Sequence, residues 1–79
     1  MRMENPIVSQ RRGLEIFRNV RAMLVKRGLP QPHAEVYAKD IVLQYGRHVA
    51  KGRPDEAIAL VSEAHADEIA KLHGVPCHA

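Results

Sequence analysis

The residues of this 79-residue chain best equipped for chemistry are five histidines and one cysteine. His73, Cys77 and His78 cluster near the end of the sequence, with His65 two helical turns upstream of His73. Imidazole nitrogen and thiolate sulfur are both zinc ligands, but structural zinc sites present two close ligand pairs at recognisable spacing. There is no Cys-x-x-Cys and no such second pair, so no metal site is expected. A histidine in the last turn of a helix, where it suits the helix dipole, accounts for His73.

His65 stands within an apolar stripe and His48 beside another. Such a pair could act as a proton switch, because small shifts move imidazole across physiological pH. The expected reading is structural, with each ring bonded to a neighbour such as the hydroxyl of Tyr37 or Tyr45. Ser62 and His65 are one turn apart, yet helical spacing supplies neither an orienting acid nor an oxyanion hole. Cys77 follows a helix stop close to the chain end, where a nucleophile is not rigidly held. Gly28, Gly46, Gly52 and Gly74 are isolated, so no loop cradles a phosphate. The inventory predicts a protein that is not an enzyme and uses no cofactor.

Two other groups of residues can do physical work. If the first two helices are antiparallel, the start of one lies near the end of the other. That would gather Arg11, Arg12 and Arg18 with Arg47, Lys51 and Arg53 into a basic patch for nucleic acid or an acidic partner. Arg18 and Asn19 are side chains that can read base edges. Against a helix-turn-helix, the helix after the tightest turn opens with Asp55 and Glu56, the wrong charge for phosphates. The second group is apolar. Val36, Leu43 and Ala50 recur every seven residues on the side of a helix opposite Ala34, Tyr37, Ala38, Ile41, Val42, Tyr45 and Val49. A helix apolar on two sides needs two partners, and with Ile16 and Met23 this strip exceeds what one small core requires.

The elements that must position these residues follow from periodicity and end signals. A first helix is expected over about 6–27, opened by Asn5-Pro6 or by Ser9 and closed by Lys26, Arg27 and Gly28, with Leu29 able to touch Leu24. Pro30 prevents its continuation. A second, over about 32–51, has Pro32 in its first turn and contains Gly46, which costs about 1 kcal/mol relative to Ala and is best explained by a close helix crossing. A third, over about 54–73, begins with Pro54, Asp55 and Glu56. Its stripe is Ile58, Val61, His65, Ile69 and Leu72, and Gly74 with Val75 and Pro76 stops it before a short tail.

Composition bounds the rest. With one Phe, two Tyr and no Trp, the core must come from Leu, Ile, Val and Ala, and a thin core favours self-association. A single cysteine forms no intrachain disulfide, and no apolar run is long enough to span a bilayer, so a soluble cytoplasmic protein is expected, with no membrane partner. The net charge of +3 conceals a division: eleven basic against four acidic residues up to Arg53 (+7), then one against five (−4). One surface therefore suits an acidic partner.

The sequence predicts an all-α fold, one domain over residues 1–79, in which three antiparallel helices with short connections form a compact unit that homodimerises. Its expected function is to occupy a surface of a protein partner through Ile16, Met23, Val36, Leu43 and Ala50, as regulators and inhibitors of phages and other mobile elements do. The alternative is a small DNA- or RNA-binding regulatory protein that uses the arginine patch.

Overall fold

Leu24 and Leu29 show how the chain makes its first reversal. Leu29 N–H donates to the Leu24 carbonyl (3.1 Å) and Gly28 N–H to the Val25 carbonyl (2.9 Å). This is the paired bonding that ends a helix at a left-handed residue, and Gly28 supplies it with φ +101. Both leucines are buried, so the apolar contact that accompanies such a cap is also the edge of the core. The next reversal repeats the pattern: Gly52 (φ +75) donates to Val49, and Arg53 to His48.

The computed structural model describes residues 10–74 and contains four α-helices: α1 (Gln10–Lys26), α2 (Gln31–Ala50), α3 (Pro54–Leu60) and α4 (Glu63–His73). Asn5, Pro6 and Ser9, the expected openings of the first helix, and residues 75–79 lie outside the described residues. There is no strand among the described residues. α1 and α2 are antiparallel, for Arg21 pairs with Glu35 (3.5 Å) near the reversal and Arg12 contacts Tyr45 far from it. α2 continues through Gly46, which is buried.

The third predicted helix is two helices, not one. It stops at Leu60 and restarts at Glu63, with Ser62 as the new N-cap. Ser62 Oγ accepts from the backbone N–H of His65 (3.2 Å) and donates to the Ala59 carbonyl (2.7 Å), closing one helix and opening the next. The break changes the helical phase. Ile69 of the expected stripe is buried, but Ile58 and Leu72 are 59% and 84% exposed, and Ala57, Ala66 and Ala70 are buried in their place. The direction also changes, so that α3 packs on α2 and α4 on α1.

The core is formed by Ile16, Val20 and Leu24 of α1 with Leu29, by Ala34, Ala38 and Ile41 of α2, and by Ala66, Ile69 and Ala70 of α4. Among the described residues only Leu24 and Val20 are large side chains with essentially no exposure. The alanines bring backbones close, and half-buried Phe17, Met23, Tyr37, Val42, Tyr45, Leu60 and Val61 close the margins. Ile16 and Met23 were expected on an outward strip; Ile16 is 5% exposed and Met23 packs against the core. The two residues lie on the side of α1 that α2 and α4 cover.

Candidate functional site

Helix α1 is apolar over more than half its circumference, and Ile16, Val20 and Leu24, spaced by four residues, take the inward side. Leu14 and Phe17 are left at its edge. Leu14 is 48% exposed and Phe17 half-buried. Across from them, α2 presents Lys39, Val42 and Leu43, the last 61% exposed. Between the two edges runs an open groove of about 770 Å³, lined by Gln10, Arg11, Gly13, Leu14 and Phe17 of α1 with these three residues of α2. Gly13 adds no side chain to the wall. The groove is apolar along its floor and basic at its rim, where Arg11 and Lys39 stand. Arg21 lies over the Phe17 ring, 5.2 Å from its centroid, and sets a cation against the ring.

Leu43 is thus where the sequence placed it, on a solvent-facing side of α2, and Val36 (66% exposed) and Ala50 share that exposure. Leu14 and Phe17 are the residues sequence reading missed. Their signal was the excess width of the apolar face of α1, which exceeds what one packed side can absorb.

All six residues of the expected basic patch, Arg11, Arg12, Arg18, Arg47, Lys51 and Arg53, are exposed. They have different neighbours. Arg11 belongs to the groove rim, while Arg47 and Lys51 line a shallow hollow of about 250 Å³ with Gln44 and His48. The Arg12 guanidinium is held more firmly protonated than usual, first by hydrogen bonding to Tyr45, and pairs with Glu15 at 3.6 Å. Arg53 turns to Glu56 at 3.6 Å.

Glu56 also approaches His48, whose Nδ1 lies 3.2 Å from Oε1 without hydrogen-bond alignment. The neighbour of His48 is therefore a carboxylate on α3, not a tyrosine hydroxyl and not His65. Among the described residues the histidine rings in contact are His33 and His73, with centroids 4.9 Å apart. Ser62 does reach His65, but through the backbone N–H in a helix cap. That use of Oγ is structural.

A separate ionic knot joins the end of α1 to α4. Arg27 Nε donates to Asp67 Oδ1 (2.6 Å), and its terminal nitrogens reach Glu63 Oε1 (3.0 Å) and the Met23 carbonyl (3.1 Å). These carboxylates, Asp67 foremost, raise the guanidinium's affinity for its proton. No helix among the described residues is long and apolar enough to cross a membrane. Searches with this chain find no matching family model, curated protein or solved structure.

Proposed function

We propose that this protein is a non-enzymatic binding protein that occupies a surface of a protein partner through the groove between α1 and α2. The observation that carries this reading is the joint placement of Leu14, Phe17, Val42 and Leu43 along one open apolar floor. A contiguous apolar surface with a polar rim is the usual mark of an interaction site on a small domain. Arg11 and Lys39 at the rim, within a region of charge +7, fit a partner of opposite sign. The occupant is an amphipathic helix that lays apolar side chains in the groove and carries Asp or Glu along its flanks.

Charge also argues against a second copy in the same place. A twofold pair meeting at this groove would set Arg11 and Lys39 of one chain near those of the other, which opposes association. The homodimer expected from the sequence is therefore an outcome of the test, not the favoured occupant.

The test uses the full chain and a labelled helical peptide of about two heptads, with leucines on one face and either Glu or Lys on the flanks. Fluorescence anisotropy should show the Glu peptide binding about tenfold more tightly than the Lys peptide at low salt, a gap that narrows as salt rises. Leu43→Glu should abolish binding while leaving unfolding free energy within about 0.5 kcal/mol, because the side chain is already exposed. Light scattering on the same samples reports oligomeric state. Neither peptide binding, or a dimer that Leu43→Glu splits, would overturn the reading. So would steeply salt-dependent binding to a DNA duplex in the absence of peptide binding, which would shift the function to the arginines.

A further inference from the structure

Gly28, Gly52 and Gly74 have positive φ, the conformation that turns and helix ends ask of glycine. Gly46 is buried in α2, as a close helix crossing requires. Gly13 has neither reason. It is the fourth residue of the 17-residue helix α1, its φ is not positive, and it is only half-buried. Inside a helix, glycine is less favourable than any residue but proline, because it gives up the most backbone freedom and covers no surface. What Gly13 does line is the groove between α1 and α2.

Gln10, Gly13, Leu14 and Phe17 all line that groove, and they stand at i, i+3, i+4 and i+7 of one helix. Four residues so spaced bound the hole into which a facing helix inserts one side chain. The wall on α2 is different. Lys39, Val42 and Leu43 begin the same pattern, but Gly46, which would complete it, is buried and is not part of the lining. The complete hole is therefore on α1, and one of its four corners carries no Cβ. Leu14, 48% exposed, and half-buried Phe17 supply its apolar sides. Close packing against such a hole favours a side chain with more bulk than leucine.

We infer that Gly13 sets the selectivity of the groove for its partner helix: the hole it opens takes one aromatic side chain, Phe or Trp, as the anchor of the bound helix. This rests on the reading that an amphipathic helix with acidic flanks occupies the groove. Aromatic anchors seated in a pocket carry much of the binding energy at protein interfaces. Phe17, whose ring Arg21 covers at 5.2 Å, gives the incoming ring an aromatic neighbour. In this role the glycine lowers the stability of α1 and raises the affinity for one class of partner.

The experiment uses the full chain and the Glu-flanked leucine peptide, with each leucine replaced singly by Trp and by Ala, and reads affinity by fluorescence anisotropy. In the parent, Trp at one position should tighten binding about fivefold or more over leucine, and at the others it should weaken binding or leave it unchanged. Gly13→Leu should reverse the order at that position alone, so that the Ala peptide binds about tenfold more tightly than the Trp peptide. Gly13→Ala should remove the Trp preference while raising Tm by about 4–8 °C, since alanine suits the helix better. If Gly13→Leu unfolds, Gly13→Ala carries the test, with helix content checked by circular dichroism. No peptide binding to the parent would overturn the groove reading and this inference with it. Binding with one ranking of peptides in parent and variants would leave the groove standing and overturn the role of Gly13. A lower Tm in Gly13→Ala would also overturn it, by assigning the glycine to the packing of α1 on α2.

Discussion

Ser62 carries the largest local decision in the chain. Its hydroxyl both accepts from His65 N–H and donates to the Ala59 carbonyl, so one side chain satisfies groups on both sides of the break between α3 and α4. Without it, the first turn of α4 loses a partner for an orphan donor. Ser62→Ala should cost about 1 kcal/mol and Ser62→Gly only a few tenths, read from urea denaturation midpoints. Gly74 is the second such position. A Cβ there would meet nothing within 4 Å, yet φ is +88. Gly74→Ala should therefore destabilise by about 1–2 kcal/mol through backbone conformation alone, with no clash to relieve by repacking. A variant as stable as the parent would show that the helix end can refold into another cap.

At the scale of elements, the tie between α1 and α4 rests on Arg27. Its side chain is 18% exposed while the partners Asp67 and Glu63 are 60% and 74% exposed, so solvent screens most of the Coulomb energy. A double-mutant cycle on Arg27→Ala and Asp67→Ala should return a coupling of about 0.5–1 kcal/mol, reduced in 1 M salt. A coupling near zero would leave the attachment of α4 to its apolar contacts, Ala66, Ile69 and Ala70 among them. The ends of α1 and α2 were legible in sequence because each depends on neighbours: a glycine that accepts positive φ, a leucine that covers the cap, a proline just beyond. The break inside the third predicted helix was not. Ile58, Val61, His65, Ile69 and Leu72 keep helical spacing straight through Ser62, so the cap at Ser62 is used only because α3 packs on α2 and α4 on α1.

For the molecule as a whole, the core is thin. Leu24 and Val20 are the only large, fully buried side chains among the described residues, and alanines fill much of the remainder. Leu24→Ala should cost about 2–5 kcal/mol, a large share of the roughly 4–12 kcal/mol available to a chain of this length. The expected readout is a much lower denaturation midpoint with an unchanged slope; a loss below 1 kcal/mol would mean that the helices close over the gap. The thin core has a functional counterpart. With so little apolar surface needed inside, Leu14, Phe17, Val42 and Leu43 are left to line an open groove, and the surplus that the sequence revealed on α2 becomes a surface shared with α1.

The sequence by itself determined that this chain is all-helical, where the first two helices reverse, and that Val36, Leu43 and Ala50 face outward. Each is a local matter of periodicity, caps and backbone conformation. Only the tertiary structure decided which arc of α1 is core, and so that Ile16 is buried while Leu14 is exposed and Phe17 half-buried at the groove, because an apolar face wider than its partners leaves that choice to packing. It also decided that His33 rather than His65 or His48 is the neighbour of His73. Side chains forty residues apart meet through the packing of four other helix pairs, and no spacing along the chain encodes that distance.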